Sequence, residues 1–154
     1  MMGILIVDDD DDVRNVMELL ITSDGHRDVV TAESAEKVFS LLARGPSVPF
    51  DIIFLDVNMP NIDGIQSCRR IREDARYRTV PIVMTTARAD MQTIEAAFDS
   101  GATDYLTKPL KAPDLLACVR AKLRLKAELD MRDLLQSEFS SRFQQFGTLA
   151  GSWN

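Results

Sequence analysis

Histidine and cysteine, which supply most zinc ligands and many catalytic nucleophiles and bases, are scarce in this 154-residue chain. The single histidine, His26, follows Gly25 in a predicted turn, where we expect a solvated side chain. One such histidine excludes a histidine-rich metal site and does not favour a histidine-based catalytic triad. The two cysteines, Cys68 and Cys118, lie far apart inside helical patterns. They predict reduced, packed thiols and a reducing compartment rather than a disulfide.

Long hydrophobic runs and an excess of positive charge are also missing. No apolar run approaches the length of a membrane span, and no charged leader precedes a signal-like stretch, so we expect a cytoplasmic chain without membrane association. Acidic residues outnumber basic ones by 24 to 18, giving a net charge of −6 that disfavours direct nucleic-acid binding. The length predicts one domain with a proper core.

What the chain does contain is a series of short apolar runs, the first and third of which end in carboxylates. Ile4–Val7 leads into Asp8, and Ile52–Leu55 leads into Asp56. Runs of this kind are typical of strands buried on both faces of a parallel sheet. Together with three further strand patterns and the helical periodicities between them, they predict an α/β fold. Its architecture is a (βα)5 doubly wound parallel sheet with strand order 2-1-3-4-5, flavodoxin-like, with an extended C-terminal helix.

Acidic residues follow the first and third strands of this predicted sheet. The strand order brings those two strand ends together, so Asp8, Asp9 and Asp56 are expected to share one crevice. Neighbouring carboxylates repel one another unless some are protonated or a cation lies among them. Mg²⁺ fits a set of oxygen ligands best, and the main-chain carbonyl of Asn58 is well placed to complete it. The alternative interpretation of the aspartate run Asp8–Asp12 is helix capping and solvated charge.

The fourth and fifth strands end in residues that suit a phosphoryl group. Thr85 or Thr86 offers a hydroxyl, and Lys108 offers a point charge. Asp56, held at a strand end, is a candidate nucleophile, because carboxylates that attack phosphoryl groups form aspartyl phosphates. Taken singly, the threonines are explained by β-propensity, Lys108 by a salt bridge to the acidic cluster, and Asp56 by the turn that it begins.

In order and spacing, these five strand ends resemble the CheY-like receiver domain of two-component response regulators over about residues 3–122. The resemblance implies that a histidine kinase or histidine phosphotransfer protein phosphorylates Asp56. It also implies that Asp9 binds Mg²⁺ directly, that Asp8 binds it through water, and that Asn58 contributes its main-chain carbonyl. The chain would then be a phosphoacceptor switch rather than an enzyme acting on other molecules.

The same resemblance assigns the residues that respond to phosphorylation. Thr86, followed by the small Ala87, matches the switch threonine better than Thr85 does. Tyr105 matches the aromatic residue that changes rotamer. Lys108 matches the lysine that contacts the phosphoryl group, and its bond to Pro109 is expected to be cis.

Two positions tune the phosphoryl lifetime in this family, and here they are Asn58 and Arg88. Arg88 either reaches the phosphoryl group or faces water, and the sequence favours neither. The face formed by the fourth helix, fifth strand and fifth helix would change on phosphorylation and be read by an output partner or by a second protomer, giving a homodimer on phosphorylation.

The predicted C-terminal helix is long enough to extend beyond the body of such a domain. From Pro113 no stop signal occurs before Gly147, and a helix of that length spans about 50 Å. Apolar residues recur mostly every four residues in its distal half: Met131, Leu135, Phe139, Phe143 and Phe146. We expect a receiver domain at 1–122, a helical extension at 123–146 and a flexible tail at 147–154. The extension is either a dimerising stalk or a linker to an effector domain beyond this chain.

Two other functions share parts of this residue set. A phosphohydrolase of the haloacid-dehalogenase type also uses a strand-end aspartate, Mg²⁺, a threonine and a lysine. It requires an acidic residue two positions after the nucleophile, where this chain has Asn58. A degenerate receiver that only binds partners would not need the complete set of Asp8, Asp9, Asp56, Thr86 and Lys108.

Overall fold

The computed structural model describes residues 3–44 and 50–151, and the side chains up to residue 147. Strands and helices alternate along these residues. The strands are β1 (Ile4–Val7), β2 (Val29–Ala32), β3 (Ile52–Asp56), β4 (Ile82–Thr86) and β5 (Asp104–Thr107). The α-helices are α1 (Asp11–Ser23), α2 (Ala35–Leu42), α3 (Gly64–Arg72), α4 (Met91–Asp99) and α5 (Ala112–Gly151), and a short 3₁₀ turn covers Ala75–Tyr77.

The five strands form one parallel sheet in the order β2-β1-β3-β4-β5. The predicted flavodoxin-like topology is therefore confirmed. The order reverses between β1 and β3, so the carboxyl ends of these two strands border one crevice, as expected for a doubly wound sheet.

Helices cover both faces of the sheet, which explains why the central strands are apolar on every side. On one face, α1 and α5 pack through Met17, Ile21, Leu115 and Val119 against Phe54 and its neighbours. On the other face, α2, α3 and α4 form a second cluster around the fully buried Tyr77. Cys68 and Cys118 are free and buried, one in each layer. Burial raises the pKa of the Cys118 thiol to about 11, which leaves it protonated and unreactive.

The helices on the sheet begin at short polar residues, as the sequence suggests. Asp10 caps α1 by accepting hydrogen bonds from the main-chain N–H groups of Asp12 and Val13. Ser34, Asp63 and Asp90 cap α2, α3 and α4 in the same way. Each such cap stabilises a helix by about 1 kcal/mol. The helix cap considered for the aspartate run is therefore present at Asp10, while Asp8 and Asp9 lie at the sheet edge.

The last helix is longer than the sequence predicts. It continues through Gly147 to Gly151, a length of 40 residues or about 60 Å. The expected helix end at Gly147 is wrong, because one glycine costs a helix only about 1 kcal/mol and does not by itself stop it. The rest of the predicted tail, residues 152–154, lies outside the described residues. So does the pair Gly45-Pro46, at which the sequence predicts the end of the second helix. Across residues 3–44 and 50–151, no helix combines the length and apolar content that crossing a bilayer requires.

Candidate functional site

Two carboxylates lie at the carboxyl ends of adjacent strands. Asp8 directly follows β1, and Asp56 is the last residue of β3, its parallel neighbour. Only 1% of Asp8 and 2% of Asp56 is exposed. A main-chain N–H two residues along the chain holds each carboxylate: Asp10 donates to Asp8 at 2.9 Å, and Asn58 donates to Asp56 at 3.2 Å. The sheet thus fixes two buried carboxylates side by side.

The ammonium group of Lys108 lies between these carboxylates. Its Nζ is 2.8 Å from Asp8 Oδ2 and 3.3 Å from Asp56 Oδ2. The main-chain N–H of Lys108 donates to the carbonyl of Thr86 at 2.8 Å, and the Lys108–Pro109 peptide bond is cis. Lys108 therefore reaches from the end of β5 past β4 to the acid pair. The salt bridge considered from the sequence exists, and it places one positive charge where a phosphoryl group on Asp56 would lie.

Burial and neighbouring charges shift the pKa values of these groups. Burial, and next the carboxylate of Asp8, raise the pKa of Asp56 to about 6, although Lys108 and the N–H of Asn58 act in the opposite direction. Burial alone would lower the pKa of Lys108, but its contacts with Asp8 and Asp56 raise it above the ordinary value. Lys108 is therefore charged at neutral pH. A further positive charge near Asp56 would favour the ionised, nucleophilic form of the Asp56 carboxyl group.

A third carboxylate, that of Asp9, completes an acidic cluster suited to a cation. One oxygen atom from each of Asp8, Asp9 and Asp56 lies within 4.8 Å of the others. Asp9 is exposed, whereas the other two are buried, so the cluster opens to solvent on the side of Asp9. The negative charge of three ionised carboxylates is greater than the single positive charge of Lys108 can neutralise. All donors are hard oxygen atoms, which fits Mg²⁺ and does not fit a metal that prefers nitrogen or sulfur.

The two predicted switch residues lie on the neighbouring strands. Thr86 is the buried last residue of β4, and its Oγ1 accepts a hydrogen bond from the N–H of Arg88 at 2.9 Å and contacts the Arg88 carbonyl at 3.0 Å. Tyr105 in β5 is partly buried, and its ring meets that of Phe98 edge to face at 6.2 Å. In this state the Thr86 hydroxyl is thus engaged with its own loop. Thr85, the other candidate, lies opposite Asp56 in the sheet register.

The residues expected to tune the phosphoryl lifetime are on the surface. Asn58 is exposed on the loop after β3, and the Arg88 side chain is exposed on the loop after β4. It is the main chain of Arg88, not its guanidinium group, that bonds to Thr86. Both side chains are therefore open to water.

Two further residues shape the site and were not identified as site residues from the sequence. A Cβ atom added to Gly64, the first residue of α3, would lie 2.1 Å from the carbonyl oxygen of Asp56, so only glycine fits there. The guanidinium group of Arg14 donates to the carbonyl of Asp8 at 2.5 Å and also contacts Asp11. The one available signal was the Asp63-Gly64 pair, which places a glycine directly after a helix cap.

Comparison with known proteins agrees with this geometry. A family model described as the response regulator receiver domain matches residues 4–120. The chain is 43% identical over 124 residues to the transcriptional regulatory protein AfsQ1 of Streptomyces coelicolor, covering 80% of this chain and 52% of that protein. It is 39% identical over 121 residues to the DNA-binding dual master transcriptional regulator RpaA of Synechocystis, covering 79% and 48%. The chain thus spans about half the length of the curated relatives it matches.

Solved structures show the same likeness. A two-component response regulator from Clostridium difficile superposes with a TM-score of 0.72 at 32% identity, covering 80% of this chain and 97% of the other. The chemotaxis response regulator CheY4 of Vibrio cholerae superposes with a TM-score of 0.72 at 27% identity, covering 79% and 98%. In both pairs the similarity covers nearly all of the solved chain and leaves part of this chain unmatched.

Proposed function

This chain belongs to the family of response-regulator receiver domains, and from that premise we propose that Asp56 accepts a phosphoryl group from a histidine kinase or a histidine phosphotransfer protein. The observation that carries this proposal is the buried pair of Asp8 and Asp56 with Lys108 in contact with both. A signalling domain of this kind acts on itself: it catalyses its own phosphorylation from a donor and its own dephosphorylation. We propose that phosphorylation changes the α4-β5-α5 face and α5, and so controls an output.

Phosphoryl transfer needs positive charge, because an anionic carboxylate must approach an anionic group. Asp8, Asp9 and Asp56, with the main-chain carbonyl of Asn58, would hold Mg²⁺, which supplies charge that offsets this repulsion. An oxygen of Asp56 forms the new bond to phosphorus as the bond from phosphorus to the donor histidine nitrogen breaks. Lys108, 3.3 Å from Asp56 Oδ2, then contacts the oxygens of the phosphoryl group.

The response to phosphorylation starts at Thr86. A phosphoryl group adds nearly two negative charges at Asp56. We propose that the Thr86 hydroxyl then leaves Arg88 for the new oxygens, and that Tyr105 occupies the space that this movement vacates. Tyr105 already packs against Phe98 of α4, so a change of its rotamer alters the α4-β5-α5 face. A packing role for Tyr105 alone is the competing explanation.

An apolar groove beside the cleft suits the protein that delivers the phosphoryl group. It borders Lys108 and runs between α1 and the segment that precedes α5. Its apolar lining residues are Val13, Val16, Met17, Leu20, Pro109 and Leu110. Val16 and the nearby Leu19 are exposed. A helix that presents its histidine to Asp56 would cover these side chains, which supports a protein donor over a small molecule alone.

The remaining part of the proposal concerns the whole chain. We propose a receiver at 1–122, an extension at 123–146, and homodimerisation through the α4-β5-α5 face on phosphorylation. Relatives described as transcriptional or DNA-binding regulators are about twice as long as their matched parts, so an effector domain joined to α5 is a further proposal. Nucleic-acid binding is not proposed for the receiver itself. The free, buried cysteines support a cytoplasmic location.

Intact mass after incubation with acetyl phosphate and Mg²⁺ tests the site. We expect one phosphoryl group per chain, lost in Asp56→Asn and retained in the matched variant Asp99→Asn, an exposed aspartate at the end of α4. Labelling of Asp56→Asn at the wild-type level would exclude Asp56 as the acceptor. Absence of any adduct in the wild type would indicate a degenerate interaction module. Rapid turnover of phosphomonoesters would indicate a hydrolase, which Asn58 disfavours because an amide is not a general acid.

A further inference from the structure

The distal part of α5 exposes a row of large apolar side chains. We call this the distal face: Met131, Leu134, Leu135, Phe139, Phe143 and Phe146. Each is more than half exposed, and Phe139 is 71% exposed. The rings of Phe139 and Phe143 stack on each other at 6.3 Å, which covers only part of their surface. A contiguous apolar face of this size on a helix indicates an interaction surface.

Apart from Leu134, which lies at its edge, the distal face points away from the sheet. A helix turns by about 100° per residue, which puts Met131 and Leu135 roughly opposite the buried Val119 and Lys126. The anchoring contacts lie on that buried side, where Asp133 pairs with Arg78 at 3.2 Å. A second helix can therefore lie along the distal face without meeting the sheet or its other helices.

We propose that a second copy of this chain covers the distal face, with the two α5 helices packed antiparallel. Glu138 and Arg142 are exposed and lie one turn apart along the middle of the apolar row. In a parallel pair, residues on the midline face their own copies, so glutamate meets glutamate and arginine meets arginine. In an antiparallel pair with its two-fold axis near residue 140, each Glu138 faces Arg142 of the partner. Charge complementarity therefore selects the antiparallel arrangement.

The same features favour a second copy over a different partner. Glu138 and Arg142 contribute opposite charges to the middle of the distal face, so that part of it attracts neither an acidic nor a basic surface. A patch that is complementary to a second copy of itself can form an interface with two-fold symmetry, and no other protein is required. Six large side chains over about four turns are enough to approach the roughly 800 Å² per partner of a stable interface.

This dimer goes beyond the proposed phosphoacceptor function and does not depend on it. The distal face is exposed in the unphosphorylated chain, so the pairing is expected without a phosphoryl donor. The two receiver parts would lie at opposite ends of the helix pair. The α4-β5-α5 face of each copy then stays free, so the phosphorylation-dependent contact would join copies from two different distal-face dimers.

Sedimentation equilibrium of the full, unphosphorylated chain over a concentration series tests the proposal. We expect a dimer whose dissociation constant rises about tenfold or more in Glu138→Arg and in Arg142→Glu, because each places like charges in two contacts. The double variant should recover wild-type affinity. Glu73→Arg changes the net charge equally at an exposed position after α3 and should leave the constant unchanged. Circular dichroism of each variant checks that the helix is retained.

Cross-linking decides the direction of the helices. An axis near residue 140 places Leu135 opposite Phe146 of the partner, so oxidised Leu135→Cys/Phe146→Cys should form covalent dimers and Leu135→Cys alone should not. The native cysteines are buried and do not compete. A wild-type chain that stays monomeric throughout would overturn the proposal. So would single charge variants that dimerise normally, a double variant that stays weakened, or cross-linking by Leu135→Cys alone.

Discussion

At the scale of single residues, the site depends on one buried carboxylate whose ionisation is opposed by burial and by a second carboxylate beside it. Asp56 has Asp8 beside it and a single ammonium group, Lys108, to compensate both. Burial and Asp8 raise the pKa of Asp56 to about 6, so a fraction of the metal-free protein holds this carboxyl protonated, and therefore not nucleophilic, as the pH falls toward 6. Binding of a cation at the cluster of Asp8, Asp9 and Asp56 would lower that pKa, which couples metal binding to reactivity.

The raised pKa of Asp56 predicts how stability depends on pH when chelator is present. Between its ordinary value of 3.8 and about 6, the folded chain holds a proton that the unfolded chain has lost. The contribution of Asp56 to the free energy of unfolding is therefore complete below about pH 4 and falls as pH rises through 6. Asp56→Asn should lack this decline and be more stable at pH 7.5 by about 1 kcal/mol, allowing for solvent screening.

Urea unfolding at pH 4.5 and at pH 7.5, with and without Mg²⁺, measures this dependence. Saturating Mg²⁺ should abolish the advantage of Asp56→Asn, because the ion stabilises the wild-type carboxylate. Asp99→Asn serves as the control for loss of an exposed carboxylate. Equal stability of wild type and Asp56→Asn at both pH values in chelator would contradict the assigned shift.

Arg88 carries a separate prediction at this scale. Its exposed side chain lies on the loop whose main chain holds the Thr86 hydroxyl. If the guanidinium group reaches the phosphoryl group, it neutralises charge there and hinders water, so Arg88→Ala should raise the autodephosphorylation rate about threefold or more. The decay of the Asp56 adduct by intact mass gives the rate, with the exposed Arg27→Ala as control. An unchanged rate removes Arg88 from the mechanism.

At the scale of elements, the start of α3 is packed directly against the end of β3. The N–H of Gly64 donates to the carbonyl of Val57 at 2.9 Å, and the glycine leaves no room for a side chain beside Asp56. Asp63 caps this helix by a reciprocal pair of bonds with Gln66. The helix therefore begins at a fixed place relative to the phosphoacceptor, and a shift of α3 would move Asp56.

Gly64→Ala tests this contact. Helix propensity alone predicts that the substitution raises the free energy of unfolding, whereas the contact with Asp56 predicts that it lowers it. Alanine in place of glycine stabilises a helix by up to about 1 kcal/mol. Here the added Cβ would lie 2.1 Å from the Asp56 carbonyl oxygen, so we expect a loss of about 2 kcal/mol in the free energy of unfolding. Labelling by acetyl phosphate should slow as well.

The control for this substitution lies in the same chain. Nothing lies within 4 Å of a Cβ added to Gly147 in α5, so Gly147→Ala should preserve or slightly increase helicity. Urea unfolding and circular dichroism of the two variants give the comparison. A Gly64→Ala protein as stable as the wild type would show that the close approach to Asp56 is relieved at no cost.

The elements also show which features the sequence could predict. Strand order, the helix cap in the aspartate run and the meeting of Asp8 with Asp56 follow from local patterns and from the rules of parallel sheets, and they were predicted. The packing of Gly64 on Asp56 and the bond from Arg14 to the Asp8 carbonyl depend on distances between elements that local patterns do not contain. The continuation of α5 past Gly147 was missed because one glycine weakens a helix without ending it.

At the scale of the whole molecule, α5 belongs to two environments. Its first turns are part of the core, where Val119 is fully buried and Leu123 is 6% exposed. A short segment that makes ion pairs follows. In it Lys126 pairs with Asp130, and its Nζ lies 3.8 Å from a carboxylate oxygen of Asp51. Beyond Asp133 the described side chains are exposed. The folded receiver should therefore not require the distal part of the helix, whatever that part binds.

Truncation separates these two environments. A chain that ends at residue 134 keeps every buried side chain of α5 and its ion pairs, so its midpoint of unfolding at low concentration should match that of the full chain within the error of measurement. A chain that ends at residue 121 loses Leu123 and the Lys126 contacts. It should lose about 2 to 4 kcal/mol, because removing one buried leucine alone costs that much.

Phosphorylation and association of the truncated chains complete the argument. The chain that ends at residue 134 should still accept a phosphoryl group from acetyl phosphate, because the acidic cluster and Lys108 are untouched. It should also be monomeric without a donor, since it lacks Phe139, Phe143 and Phe146 of the distal face. Loss of labelling in this chain would show that the distal helix supports the phosphoacceptor site. A persistent unphosphorylated dimer would assign the association to the receiver surface instead.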